Sequence, residues 1–130
     1  MRLFATAALL LVTGRAWAAD GTIAVDAGDG CPDRAQVGAA LEARLPGVTG
    51  RGAYTRRLEL ERDGGELILR LRAFDGGEQY LERRLPLDQR ATNEACEALA
   101  EAVAQVVVRY LREIGYRPPQ PAAVVEVVPN

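Results

Sequence analysis

Apolar and polar positions alternate in four short stretches of the chain and recur at helical spacing in two others. Thr22 to Asp26 puts Ile23 and Val25 on one side, then meets Ala27-Gly28-Asp29-Gly30, a composition that ends a strand. From Tyr54 to Glu61, Leu58 and Leu60 alternate with Arg57, Glu59 and Glu61. Leu67, Leu69, Leu71 and Ala73 continue that apolar row beyond Asp63-Gly64-Gly65-Glu66, and Leu81, Leu85 and Leu87 resume it beyond Asp75-Gly76-Gly77. Three half-buried strands in a meander follow from this pattern.

Charge sets the register of the meander. A two-residue loop at Gly64-Gly65 pairs Leu60 with Leu69 and Glu59 with Arg70, whereas a longer loop sets Glu61 against Glu66 and Arg57 against Arg70. Like charges directly opposite destabilise a sheet, so the short loop is expected. A three-residue second loop then pairs Leu71 with Leu81 and Arg70 with Glu82, leaving a ladder of Glu59, Arg70 and Glu82 on the outer face. Arg83 alone falls among the leucines by parity. An edge position with its guanidinium in water accommodates it, as does a bulge.

Helical spacing appears first after Cys31-Pro32-Asp33, where Pro at the first helical position costs no hydrogen bond; Val37, Ala40, Leu41 and Leu45 form the apolar side and Pro46-Gly47 ends the run. The longer helix begins near Asn93 and carries Cys96, Leu99, Ala100, Val103, Val106, Val107, Tyr110, Leu111 and Ile114 on one stripe. Glu94, Glu97 and Glu101 lie toward its start, Arg109 and Arg112 toward its end, and Gly115 stands where a left-handed cap belongs. Glu97, Glu101, Gln105 and Arg109 are too many polar groups for a membrane span. The expected fold is an α+β two-layer sandwich of β-α-β-β-β-α order: a mainly antiparallel four-stranded sheet with both helices on one face, its strand order open.

The first residues belong to neither layer. Arg2, the apolar run Leu3 to Val12 and the small-x-small triplet Ala16-Trp17-Ala18 have the form of a cleaved Sec-type signal peptide at residues 1–18. A run of that length falls well short of the roughly 20 residues a spanning helix needs, and no Cys follows it directly to take a lipid. The divisions expected are residues 1–18 as signal, 19–116 as a small α+β domain, and 117–130 as a proline-rich tail with Pro118, Pro119, Pro121 and the run Val124-Val125-Glu126-Val127-Val128. All 16 basic residues are Arg, a usage expected of a high-G+C bacterium, in which a protein exported by such a signal is expected in the periplasm or cell envelope, or secreted. Losing Arg2 and Arg15 with the signal takes the net charge from -2 to -4, and no basic field remains to hold nucleic acid.

Chemistry narrows further by what is missing: the chain has no His, Ser or Lys, which excludes Ser-His-Asp, Cys-His, Schiff-base and His-ligand metal sites. Cys31 and Cys96 are the only cysteines, and in an oxidising compartment they allow one pairing. A β-α-β-β-β-α path brings both helix starts to the same end of the sheet, so a structural disulfide is expected rather than a reactive thiol. Asp26, Asp29 and Asp33 lack the spacing of a calcium loop and read as turn and cap residues, so no metal is expected. Glu59, Glu61 and Glu82 fit Arg-paired rungs of the outer face better than a hydrolytic carboxylate pair.

Arg70, Arg72, Phe74, Tyr80 and Arg84 share that outer face, a mixture of aromatic and Arg residues frequent at contact surfaces, and they are the candidate binding residues. The functional expectation is an exported, non-catalytic envelope or periplasmic domain that binds another envelope protein through the open sheet face, a sheet edge or the tail. It has no cofactor, binds no nucleic acid and does not insert stably in a membrane after signal cleavage. The alternatives are a small-ligand or glycan binder using the Arg and Tyr residues of the sheet, and a carboxylate-based hydrolase.

Overall fold

The computed structural model describes residues 20–50, 52–87 and 92–119. The expected signal at 1–18 and all of the expected tail beyond Pro119 lie outside these residues. The elements are β1 (Thr22–Asp26), α1 (Arg34–Arg44), β2 (Tyr54–Asp63), β3 (Glu66–Ala73), β4 (Gln79–Pro86) and α2 (Asn93–Glu113). They form a mixed, mostly antiparallel sheet in the order β1-β2-β3-β4, in which β1 and β2 run parallel through the α1 crossover. This is the expected α+β fold, and the strand order is the one the short connections favour.

The expected pairs form, although the same register also sets Arg57 opposite Arg72 and Asp63 opposite Glu66, so like-charge opposition is not what selects it. Leu60 lies opposite Leu69, Glu59 opposite Arg70, Arg70 opposite Glu82, and Leu71 opposite Leu81. Gly64, at φ 61°, supplies the left-handed residue of the two-residue loop between Asp63 and Glu66. One alternation fails. Leu71 pairs with Leu81 while Arg72 pairs with Gln79, so Tyr80 is an extra residue in β4. The bulge turns Tyr80 toward the core, which corrects its expected place on the outer face.

Inward leucines of the sheet (Leu58, Leu60, Leu67, Leu69, Leu71, Leu81) pack with Val37, Ala40 and Leu41 of α1 and with Ala100, Val103, Val107 and Leu111 of α2. The two helices also pack on each other, which buries Ala104 and Val108 beyond the expected stripe; Ile114, past the last helical residue, is exposed. Arg44 of α1 bridges to Glu101 of α2 at 2.8 Å across that contact. The start of α1 also differs from expectation. Asp33 is its N-cap, accepting from the Gln36 amide while the Gln36 side chain accepts from the Asp33 amide, so Pro32 stands before the helix. A reciprocal cap satisfies two donors that a proline start leaves open.

Candidate functional site

Cys31, just ahead of the α1 cap, and Cys96, in the first turn of α2, form the expected disulfide with Cα atoms 5.3 Å apart. Arg62 holds the loop that carries Cys31. Its guanidinium donates to the carbonyls of Ala27 at 2.8 Å, Cys31 at 3.1 Å and Pro32 at 2.8 Å. Arg62 closes the inward row Leu58, Leu60, Arg62, and sequence reasoning passed over it. Its signal was parity, since an Arg ending a buried row must reach either water or a set of acceptors.

Beside this disulfide lies a cleft of about 500 Å³, lined by Leu85, Pro86 and Leu87 on one wall and by Ala95, Ala98, Leu99 and Ala102 on the other. Ala95, Ala98 and Ala102 recur at helical spacing along one flank of α2, and their small side chains leave the space between that flank and the end of β4 unfilled. β4 is an edge strand, bonded to β3 on one side only among the described residues. Its helix-side row is Leu81, Arg83 and Leu85, of which Leu85 lines the cleft; Arg83 is exposed and, among the described residues, donates only to the Glu82 carbonyl. Arg83 therefore sits at an edge, one of the two placements its parity allowed. Sequence reading missed the cleft, because it appears only when α2 is set against β4.

The expected binding residues are distributed differently. Arg70 bridges to Glu61 at 2.5 Å and to Glu82 at 2.9 Å, Arg72 to Glu59 at 3.4 Å, and Arg84 to Glu66 at 3.0 Å. The Glu59 bond is thus diagonal rather than directly across to Arg70, within the reach of long side chains. The carboxylates Glu59, Glu61 and Glu82 are rungs of this network, each on an Arg. Ile68 lies beneath it at 2% exposure, between Glu61 and Arg84 across the strands and Glu66 and Arg70 along its own. Aliphatic stems of ion-paired residues cover apolar surface in this way. Phe74 stands at the foot of the face, its ring 5.5 Å from that of Tyr54 and 5.0 Å from the Arg57 guanidinium.

Tyr80 belongs to a different cluster, on the helix side. Arg56 lies 5.4 Å from the Tyr80 ring and 5.3 Å from the Tyr116 ring, and its Nε makes no hydrogen bond among the described residues. Two ring faces hold the charge instead. The Tyr116 hydroxyl donates to the Gly21 carbonyl, and Asp20 exchanges hydrogen bonds with Arg117, so this stack fastens the end of the domain to the start of β1. Burial pushes the Tyr116 hydroxyl above its ordinary pKa, aided by Asp20 and Glu42 and opposed by Arg56.

Glu42 orders the α1–β2 loop by accepting from the Gly47 amide at 2.6 Å and from the Thr49 amide and hydroxyl at 3.2 and 2.9 Å. Burial raises its carboxyl, and those donors together outweigh burial, leaving it below the usual value. Asp26, Asp29 and Asp33 do not converge on a metal position, and no metal-binding group of acids and thiols occurs among the described residues. No described helix is long and apolar enough to cross a membrane. Comparison with protein-family models, curated proteins and solved structures finds no match to this chain.

Proposed function

We propose that this chain is an exported, non-catalytic module that docks an extended segment of a protein partner along the cleft between α2 and β4. The observation that carries the reading is the coincidence of an open strand edge with an apolar cleft on its helix side. A partner strand adding to β4 gains main-chain hydrogen bonds, and every second side chain enters the cleft. The described walls offer no carboxylate, hydroxyl or thiol, and Arg62, the one charged residue among them, is held by three carbonyls. The disulfide supports export, as does the form of residues 1–18.

The outer face is the weaker ground for a ligand. Its cations Arg70, Arg72 and Arg84 already bridge to glutamates, so an anionic or sugar ligand must displace an internal partner from each. The test is titration of the oxidised protein with extended peptides of alternating apolar pattern, followed by fluorescence anisotropy and by amide exchange. Binding should slow exchange along Gln79–Pro86 and be lost in Leu99→Arg, while that variant keeps its thermal midpoint. If exchange instead slows around Glu59 and Arg70 while Gln79–Pro86 is unchanged, the cleft is not the site.

A further inference from the structure

We propose that Val124–Val128 of a second copy of this chain is the strand that adds to β4, pairing Glu126 with Arg83 in a reciprocal dimer. The inference rests on the reading of the cleft just given and names its occupant. Along the helix side of β4 the row is Leu81, Arg83, Leu85, an apolar-cation-apolar alternation in which Arg83 has no carboxylate partner among the described residues. In an added strand the residues facing the same side are every second one. Val124, Glu126 and Val128 form an apolar-acid-apolar alternation of the same period. Centring Glu126 on Arg83 places a valine beside each leucine, in either strand direction.

Arg83 makes the edge selective. A wholly apolar strand added there leaves a cation unpaired in its row, whereas one centred on an acid neutralises it. The run Val124 to Val128 supplies apolar surface and a single acid at the required place.

Reach assigns the strand to a second copy. The described chain ends at Pro119, against Gly47 and within 3.8 Å of where a Gly52 Cβ would lie, on the β1 side of the foot of β2. Arg83 lies level with Leu69 and Leu60, so it stands eight residues above Gly52, about 25 Å at strand rise, and an added strand lies three strand spacings sideways, about 14 Å. The straight line is about 29 Å. Glu126 is seven residues beyond Pro119 and reaches at most about 25 Å when fully extended, before any turn around the sheet. Exchange between two copies satisfies both edges at once and closes the assembly with two-fold symmetry.

The experiment is sedimentation equilibrium on the oxidised full chain and on Arg83→Glu, Glu126→Arg and the double variant. Dimer formation, weakened at least about tenfold by each reversal and restored by combining them, is expected. A chain monomeric at every concentration overturns the proposal, as does a dimer indifferent to both reversals. A monomer whose β4 amides lose protection in Glu126→Arg places the tail on its own edge and overturns the exchange. If no dimer forms but unrelated alternating peptides still bind and Leu99→Arg abolishes that binding, this inference fails while the docking function stands.

Discussion

Three charged side chains hold this small fold at its corners. Arg62 and Arg56 terminate the inward row of β2 at its two ends, one on carbonyls and the other between rings. Arg62→Met should lower unfolding stability by about 2 kcal/mol or more, because three carbonyls lose a charged donor, and Arg62→Lys should not restore it, since an ammonium cannot span the same fork. Denaturant midpoints of the three proteins check this. Glu42 acts through protonation: its folded pKa lies below the unfolded one, so its contribution is present above the ordinary carboxylate pKa and is lost as pH falls through the depressed value. The stability difference between wild type and Glu42→Gln should therefore shrink on acidification below the usual carboxylate range, in urea titrations across pH. A constant difference removes Glu42 from the acid transition.

At the scale of elements, α1 depends on its cap and the sheet on its inward rows. Asp33→Ala removes one half of a reciprocal cap and should cost about 1 kcal/mol, read as a shift in the thermal midpoint. Leu69→Ala, at a fully buried centre of β3, should cost about 2–5 kcal/mol through the cavity it leaves. Strand register was legible from the two-residue Gly64-Gly65 turn and the Glu59–Arg70 and Arg70–Glu82 oppositions, although it also sets Arg57 opposite Arg72 and Asp63 opposite Glu66. The bulge at Tyr80 was not. An extra residue shows no local composition that distinguishes it from regular alternation, and only the pairing of Arg72 with Gln79 exposes it.

For the whole molecule, the disulfide joins residues 65 apart and ties α1 to α2 above the cleft. Replacing both cysteines by Ala should lower stability by about 4 kcal/mol in the chain-entropy description, with the secondary-structure signal retained under native conditions. Thiol titration of the protein isolated without reductant should find no free thiol; two reactive thiols would overturn the Cys31–Cys96 bond. The cleft should open in the reduced protein, since Cys96 lies one residue from Ala95 on its wall, and faster exchange at Ala95 to Ala102 on reduction is the expected sign.

Element order, the inward leucine row and the cysteine pairing were all determined by the sequence alone, since each depends on local period, charge opposition or a count that permits one solution. The tertiary structure decided the rest. It turned Tyr80 inward, set Glu59 diagonally on Arg72 rather than across on Arg70, gave Arg62 three carbonyls, and left a cleft between β4 and the alanines of α2. A cleft is a gap between elements distant in the chain, and its width depends on side-chain volumes that meet only after packing.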